Sequence, residues 1–404
     1  AASGETWLAR TVISGTGTWD RPYWPYYPGR ETFAGRQLPE GVLEKGQELV
    51  ARFEAAHPGA RGCVGSAASA ARARQATDGP QTPGERNHPL RVAVIGGGPG
   101  GLYTAVLLKR LAPDREVTVW ERNAPDDTFG FGVVFSDETL GGIEHADVAV
   151  YRQMEREFAR WDDIDVHYKD TVITSGGHGF AAMSRRRLLE ILQARCRELG
   201  VALHFRTEAP PADELARTHD LVIASDGLNS ATRAKYADTF HPQLEVRRCK
   251  YMWLGTDLVF DAFKFYVLET PHGVMQIHGY PYDATGSTFI VEMHDDVWHQ
   301  AGFGELAARD LPPGQSDEDS IAKVRELFTD ILAGHEVMAN NSKWLSFSTV
   351  RNETWRHGNV VLLGDAAHTA HFSIGSGTKL AMEDALALAA CLHENADVDS
   401  ALDA

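Results

Sequence analysis

The order of apolar and polar positions after Arg91 predicts a compact α/β domain. A buried strand, Val92–Ile95, is followed by a glycine-rich turn and by a helix near residues 100–111. The same pattern continues with a strand at Glu116–Trp120, a helix near 184–199, a strand at 201–205 and a strand at Leu221–Ala224. Strands that alternate with helices in this way are typical of a parallel sheet built from βαβ units.

A different period begins near residue 250. Residues 250–293 alternate polar and apolar side chains over several short runs, which predicts a half-exposed antiparallel sheet. The chain then returns to the first pattern, with an apolar strand at Val360–Leu363 and a helix over about 378–392. We therefore expect two domains, the first at 91–240 and 345–404 and the second, an inserted substrate domain, at 241–344.

The residues before this domain have another texture. Residues 1–40 are aromatic and rich in turn formers, and residues 41–89 read as one helix followed by a flexible linker rich in Ala, Gly, Ser and Pro. The chain begins with Ala1 rather than Met, and it stops soon after the last helical pattern. We interpret it as part of a longer reading frame.

Composition and charge narrow the class of protein. The 404 residues are 43% hydrophobic and 24% charged, as in globular proteins with a sizeable core, and the net charge is −17. Such an acidic chain is a poor partner for nucleic acid or an anionic membrane. No apolar run is long enough to span a bilayer, and the four cysteines lack zinc or disulfide spacing. We expect a soluble, cytoplasmic protein without a metal site.

The glycine-rich turn carries the first chemical motif. Gly96, Gly98 and Gly101 follow the first strand and open the helix, in the G-x-G-x-x-G spacing of dinucleotide-binding proteins. They allow a tight turn, a close approach of the backbone to a pyrophosphate, and close packing of helix on strand. Glu121, followed by Arg122, ends the second strand twenty positions after Gly101, where a carboxylate accepts hydrogen bonds from a ribose.

Two further motifs end buried strands. Asp226 and Gly227 follow the strand Leu221–Ala224, and Gly364 and Asp365 follow the strand near residue 360. At the carboxyl edge of a parallel sheet either aspartate can reach a cofactor hydroxyl. Each aspartate alone also fits an ordinary helix N-cap, but both in this order after the glycine motif are far more specific.

A glycine-rich loop lies between Asp365 and the last predicted helix. Gly375 and Gly377 come directly before that helix. We expect the free N–H groups at the start of the helix to face a carbonyl on the ring of the bound cofactor, where negative charge develops.

The three motifs in this order resemble the class A, single-component flavoprotein monooxygenases. The resemblance implies a Rossmann-like FAD-binding domain of the para-hydroxybenzoate-hydroxylase type, with FAD and NAD(P)H as cofactors. It places the ADP half of FAD on Gly96, Gly98, Gly101, Glu121 and Arg122. It places Asp226 and Gly227 at the pyrophosphate, Gly364 and Asp365 on the ribityl chain, and Gly375 and Gly377 under the isoalloxazine. It also implies that Arg185, before the Leu-Leu helix, contacts the cofactor.

Longer segments narrow the resemblance. "DDTFGFGVVFSDETLGGIEH", "RRCKYMWLGTDLVF" and "AHFSIGSGTKLAMEDALAL" are similar to the group of salicylyl-CoA 5-hydroxylase and 2-aminobenzoyl-CoA monooxygenase. Members of this group commonly carry a further C-terminal reductase-like domain. His371 and Phe372 stand where class A enzymes usually have a Pro-Pro pair, and Lys379 stands where they usually have Asn. This departure narrows the subfamily and leaves the usual backbone contacts to the flavin open.

The first 38 residues resemble something else. "TVISGTGTWDRPYWPYYPGRETFAGRQL" is similar to a piece of a class B type flavin monooxygenase, without that enzyme's glycine motif. We interpret residues 1–40 as a remnant of another flavoprotein with no catalytic role.

The resemblance implies an aromatic hydroxylation. NAD(P)H reduces FAD, molecular oxygen forms a flavin C4a-hydroperoxide, and an aromatic CoA thioester is hydroxylated, for example salicylyl-CoA to gentisyl-CoA. The protein must then hold the ring in a dry pocket. On one predicted strand Val274, Gln276 and His278 share a face.

Three side chains are candidates to bind the ring hydroxyl: His278, Tyr280 and His371. Each of them is also compatible with a purely structural polar role. Arg247, Arg248 and Lys250 are candidates for the CoA phosphates, although charge runs are often solvated faces.

Other functions on the same fold remain open. A flavin halogenase is disfavoured because no Trp-x-Trp-x-Ile-Pro segment occurs. An indole or tryptophan-type flavin hydroxylase and a truncated flavin-binding remnant without activity are the alternatives.

Overall fold

The computed structural model describes residues 88–307, 311–312, 314–374 and 377–404. The predictions for residues 1–40 and for nearly all of 41–89 therefore lie outside the described residues.

Seventeen strands and thirteen α-helices are found in the described part of the chain. In chain order they are β1 (Arg91–Ile95), α1 (Pro99–Leu111), β2 (Glu116–Glu121), β3 (Gly132–Ser136), α2 (Asp137–Ala146), α3 (Val148–Glu155), β4 (Ala159–Trp161), β5 (Ile164–Tyr168), β6 (Thr171–Ser175), β7 (Phe180–Ser184), α4 (Arg185–Glu198), β8 (Ala202–Phe205), α5 (Ala212–Thr218), β9 (Leu221–Ala224), α6 (Ala231–Lys235), α7 (Ala237–Phe240), β10 (Gln243–Thr256), β11 (Phe263–Thr270), β12 (Gly273–Pro281), β13 (Ser287–His294), α8 (Asp295–Gln300), α9 (Phe303–Ala307), α10 (Glu318–Leu327), α11 (Thr329–Leu332), β14 (Val337–Met338), β15 (Leu345–Arg351), β16 (Arg356–His357), β17 (Val360–Leu362), α12 (Gly377–Glu394) and α13 (Val398–Asp403).

The first sheet has six strands in the order β16-β17-β9-β1-β2-β8. The five strands from β17 to β8 are parallel, and only β16 is antiparallel to its neighbour. Helix α1 packs between α4 and α12, and the side chains that join them to the sheet are fully buried, among them Leu102, Leu188 and Met382. The predicted βαβ units and the return of the chain to this sheet are confirmed.

The second sheet is mixed and mainly antiparallel, in the order β14-β10-β13-β12-β11-β5-β6, with β15 on β10. One of its faces carries Met252, Ile277 and Val291, which pack with helices α8 to α11 through Phe303 and Ile321. Because side chains alternate along a strand, the residues between these point to the opposite face. That face packs on a small third sheet, in the order β3-β7-β4.

The second sheet does not follow the predicted domain ranges. Strands β5 and β6 lie before residue 241 but join this sheet through parallel pairing of β5 with β11, and β15 lies after residue 344 but pairs with β10. Such pairing depends on contacts between distant residues, and the local pattern of side chains carries no sign of it.

Among the described residues no helix has the length and apolar character needed to cross a bilayer.

Candidate functional site

The predicted dinucleotide turn has the geometry that its three glycines were expected to provide. Gly96 has φ +104°, and a Cβ at Gly101 would lie 2.2 Å from the carbonyl oxygen of Gly96, so neither position accepts a side chain. Gly98 begins α1 as its N-cap, and a Cβ there would meet no protein atom within 4 Å. The space above Gly98 is therefore open toward the first N–H groups of α1, which have no intrahelical partners.

Glu121 closes this turn from the neighbouring strand. Its Oε2 accepts a hydrogen bond from the Gly97 N–H at 2.8 Å, and its Oε1 accepts one from the Asn123 N–H at 2.8 Å. Each carboxylate oxygen keeps a second lone pair for a ribose hydroxyl. Arg122 follows on the exposed surface. The ribose contact of Glu121 and the role of Arg122 stay predictions.

The Asp226 motif follows β9, beside β1 in the first sheet. Asp226 Oδ2 accepts a hydrogen bond from the Thr232 N–H at 3.1 Å, so the aspartate does serve the start of α6. Its Oδ1 is buried and has no hydrogen-bond partner among the described residues. Gly227 has φ +78° and open space where a Cβ would stand. The unpaired oxygen and the open backbone leave room for a polar ligand at this strand end.

Arg233 joins the second motif to the third, a role that the sequence did not predict. It is 4% exposed, and its guanidinium donates to the carbonyl oxygens of Ala366 at 3.0 Å, Asp365 at 3.5 Å and Leu228. One buried cation thus fixes the loop after β9 against the loop after β17.

The Gly364 turn is held by an aspartate of the last long helix. Gly364 has φ +63°, and its N–H donates to Asp384 Oδ2 at 3.0 Å. His368 Nε2 lies 2.9 Å from the same oxygen. Burial lowers the pKa of His368, but the hydrogen bond to Asp384 and the negative charge of Asp384 outweigh this effect. The pKa of His368 is therefore raised.

Asp365, in this turn, and Arg185 interact electrostatically. Asp365 keeps an exposed surface, yet the surrounding protein displaces enough water to raise the pKa of its carboxyl, an effect that Arg185 opposes. Arg185 Nη1 donates to Thr378 Oγ1 at 3.2 Å, and its guanidinium lies 4.5 Å from the centre of the Phe129 ring. Its Nε is buried without a hydrogen-bond partner in the described part of the chain.

The glycine-rich loop is described only in part. Gly375 lies outside the described residues. Gly377 is the first residue of α12. Their predicted place under the isoalloxazine stays a prediction.

Two of the three candidate catalytic residues meet at a buried glutamate that the sequence analysis missed. Glu292, 7% exposed, places Oε2 3.0 Å from His278 Nε2 and Oε1 3.4 Å from His371 Nε2. Burial raises the pKa of Glu292, but the hydrogen bonds and charges of the two histidines outweigh it and lower the pKa to about 2. His371 Nδ1 lies 2.9 Å from Ser373 Oγ. A second face of the β12–β13 pair thus carries a polar network.

Tyr280, the third candidate, is differently engaged. Its hydroxyl donates to the carbonyl oxygen of Gly132 at 3.0 Å, and its ring packs on Trp161 and Phe263. Burial raises the pKa of the Tyr280 hydroxyl to about 12. The geometry gives Tyr280 a role in joining the second sheet to the third.

Aromatic rings surround the histidine–glutamate network. Phe372 packs on Tyr251 at 4.4 Å between ring centres and on His278 at 5.6 Å, while Phe265 meets His278 at 5.0 Å and Phe347 meets His371 at 4.8 Å. Burial raises the pKa of the Tyr251 hydroxyl to about 12, with smaller contributions from Asp365 and Glu292. The loop that leads from Asp365 to α12 therefore borders an apolar region of the second sheet.

The cations that were candidates for CoA phosphates are unequally available. Lys250 contacts Ser346, Asp295 and the Trp298 ring, and Arg247 contacts Glu245 and Thr349. Arg248 is exposed, and no ion pair of it is found among the described residues. In the same part of the chain no His, Cys, Asp or Glu group is arranged to hold a metal ion.

The residues at the edge of the first sheet and at the start of α4 fit FAD. The unpaired Asp226 Oδ1, the unpaired Arg185 Nε and the open space at Gly98 lie at strand ends or at the start of a helix, where α/β sheets bind dinucleotides. A cavity of about 350 Å³ is lined by Ser184, Arg186, Phe131 and Tyr282, among others.

Comparison with known proteins gives consistent results. The chain is 49% identical over 315 residues to salicyloyl-CoA 5-hydroxylase of Streptomyces sp, a match that covers 78% of this chain and 60% of that protein. It is 37% identical over 303 residues to the 3-hydroxy-4-methyl-anthranilyl-[aryl-carrier protein] 5-monooxygenase of Streptosporangium sibiricum, covering 75% and 79% of the two chains. The chain thus matches less than two thirds of the length of the first relative.

A solved structure shares the fold. The tetrameric form of 2-methyl-3-hydroxypyridine-5-carboxylic acid oxygenase superimposes with a TM-score of 0.64 at 20% identity, over 78% of this chain and 85% of that chain. The family model described as "FAD binding domain" matches residues 89–402. The chain belongs to this family of FAD-binding proteins, and its relatives are FAD-dependent monooxygenases and hydroxylases.

Proposed function

We propose that the chain is an FAD- and NAD(P)H-dependent monooxygenase that hydroxylates an aromatic acyl-CoA, either salicyloyl-CoA (salicylyl-CoA), giving gentisyl-CoA, or 2-aminobenzoyl-CoA. The observation that carries the proposal is the 49% identity to a salicyloyl-CoA 5-hydroxylase, which runs through 315 residues. The second relative supports the same class of substrate, since its name describes an aromatic ring on a carrier protein.

In this proposal the first sheet holds FAD. Gly96, Gly98 and the start of α1 receive the pyrophosphate, and Glu121 receives a ribose. Asp365 faces the ribityl chain, and Arg185 lies beside the cofactor with its unpaired Nε. The chemistry that bound FAD would supply to this site is hydride acceptance from NAD(P)H and activation of molecular oxygen.

The second sheet binds the aromatic ring. Tyr251, Phe265 and Phe372 provide apolar walls that exclude water from the oxygen chemistry. His278 and His371, both bound to Glu292, supply the polar atoms that orient the ring through its ortho substituent.

The rest of the substrate is the CoA moiety. Arg248 is exposed at the irregular pairing between β10 and β15 and can meet a phosphate without giving up an ion pair seen among the described residues. We also propose a cytoplasmic location, because the four widely spaced cysteines show no disulfide pattern, as is usual in that compartment. The match covers 60% of the first relative, so that relative contains sequence beyond the part that this chain matches.

The experiment is NADH and NADPH oxidation by the purified chain with FAD, compared with and without each of salicyloyl-CoA, 2-aminobenzoyl-CoA, indole and tryptophan. We expect oxidation to be stimulated by an aromatic acyl-CoA, with a product that gains one oxygen atom. Oxidation of NAD(P)H that is stimulated only by indole or tryptophan would show that the substrate is of the indole type and not an aromatic acyl-CoA. Failure to retain FAD would indicate a flavin-binding remnant and contradict the proposal.

A further inference from the structure

The network around Glu292 contains two histidines, His278 and His371, and only His371 has a hydrogen-bond partner at Nδ1 among the described residues. Because a carboxylate only accepts hydrogen bonds, His278 presents an N–H at Nε2 to Glu292 Oε2 at 3.0 Å. His371 Nε2 lies 3.4 Å from Glu292 Oε1, and its Nδ1 accepts from the Ser373 N–H, which places a proton on Nε2 there too. A neutral imidazole with its proton on Nε2 has a lone pair on Nδ1. In the neutral form of both imidazoles, Glu292 therefore fixes the two Nδ1 atoms as hydrogen-bond acceptors.

The two acceptors have different partners. His371 Nδ1 meets the hydroxyl of Ser373 at 2.9 Å and the N–H of the same residue at 3.4 Å. His278 Nδ1 has no hydrogen-bond partner among the described residues. Its side chain is only 2% exposed, so bulk water does not replace that partner. Leaving a buried acceptor unpaired is costly, so a retained one points to a ligand that supplies the donor.

The surroundings of His278 favour an aromatic ligand. The Phe265 ring meets the imidazole edge-on at 5.0 Å, and the Phe372 ring meets it at 5.6 Å from the loop that leads to α12. Phe372 also packs on Tyr251, so the surroundings of His278 on this side are aromatic. A hydroxyl or amino group on the ring of an aromatic ligand then supplies the missing donor.

We propose that Glu292 is a positioning residue that makes His278 Nδ1 an acceptor for a hydrogen-bond-donating ortho substituent of the aromatic substrate, so that the site selects hydroxy- and aminobenzoyl thioesters over analogues without a donor. The inference rests on the proposed function and deepens it. This role differs from a general stabilisation of the fold, because Glu292 acts by setting the tautomer of His278. It therefore affects only whether the site prefers ligands with a hydrogen-bond donor.

The test compares affinities for matched ligands in the FAD-loaded chain, measured by the change in flavin absorbance. The ligands are salicyloyl-CoA and 2-fluorobenzoyl-CoA, in which fluorine is similar in size to hydroxyl but donates no hydrogen bond. We expect the wild type to bind salicyloyl-CoA roughly 10- to 100-fold more tightly.

Two variants separate positioning from folding. The amide introduced by Glu292→Gln can donate to His278 Nε2 and shift the proton to Nδ1, so the preference for salicyloyl-CoA should fall to about threefold or less. His278→Gln keeps a polar group near the Nε2 position but removes Nδ1, and it should lose the preference in the same way. His294→Gln, on the partly exposed end of β13, is the matched histidine control and should keep it.

The outcomes are distinct. A structural role of Glu292 would weaken both ligands equally and leave their ratio unchanged in Glu292→Gln, which would overturn the inference. A wild type that binds both ligands equally would overturn it as well, while the proposed function stands. A wild type that binds neither ligand would overturn the proposed function together with the inference.

Discussion

Replacing Gly98 by valine tests the placement of the pyrophosphate. Gly98 has φ −73° and ψ 178°, an extended conformation that valine adopts, and its Cβ would meet no atom within 4 Å. Valine restricts the unfolded chain more than glycine does, which raises the unfolding free energy by about 0.4–1 kcal/mol. Valine is also a poorer N-cap than glycine, which lowers the unfolding free energy by about the same amount. We therefore expect the unfolding free energy of the FAD-free protein to change by less than about 1 kcal/mol.

The same valine occupies the space that the pyrophosphate needs. Its side chain would stand above the first N–H groups of α1, so Gly98→Val should weaken FAD binding by at least about 100-fold, or about 3 kcal/mol. Gly101→Ala is the contrasting variant, because its Cβ would lie 2.2 Å from the carbonyl oxygen of Gly96. That overpacking should lower the unfolding free energy by about 1–3 kcal/mol.

The assay is urea unfolding of both FAD-free variants, together with flavin absorbance after removal of free FAD. Comparing FAD-free proteins matters because bound ligand itself raises apparent stability. Stoichiometric FAD in Gly98→Val would refute the placement of the cofactor. Unfolding of Gly98→Val as severe as that of Gly101→Ala would refute the claim that the space above Gly98 is free.

Two further predictions concern the buried charges. Arg233→Met removes the cation that binds three backbone carbonyls, and it should lower the unfolding free energy in urea by about 3 kcal/mol, whereas the exposed control Arg152→Met should change it by less than about 0.5 kcal/mol. Glu292 has its pKa lowered from 4.5 to about 2, so it stabilises the fold above pH 4.5 and loses this contribution as the pH falls towards 2. The advantage of wild type over Glu292→Gln in unfolding free energy should therefore shrink by about 3 kcal/mol across that range, and a constant difference would contradict the assigned pairing.

The sequence predicted the parts of the fold that local patterns determine. The glycine motif after β1, Glu121 at the end of β2 and the strand at Leu221–Ala224 lie where the periodicity and spacing indicated. The shared face of Gln276 and His278 is also as predicted, because the pairing of β12 with β13 follows a strict alternation.

The parts that the sequence left out depend on distant contacts. Glu292 stands within the apolar run of β13, where a single carboxylate was a signal for a buried partner, but the chain gives no indication that His278 and His371 are that partner. Arg233 follows the second motif closely in the sequence, yet its contact with Ala366 links positions more than a hundred residues apart. The position of strand β15 in the second sheet was likewise not predicted, because it depends on pairing with the distant strand β10.

Oxygen labelling tests the central claim most directly. The FAD-loaded chain is mixed with NADH or NADPH and salicyloyl-CoA under ¹⁸O₂ in ordinary water, and the product is examined by mass spectrometry. The account predicts an aromatic product that contains one heavy oxygen atom. A product without the label, or NAD(P)H oxidation that yields only hydrogen peroxide with every aromatic acyl-CoA, would contradict it.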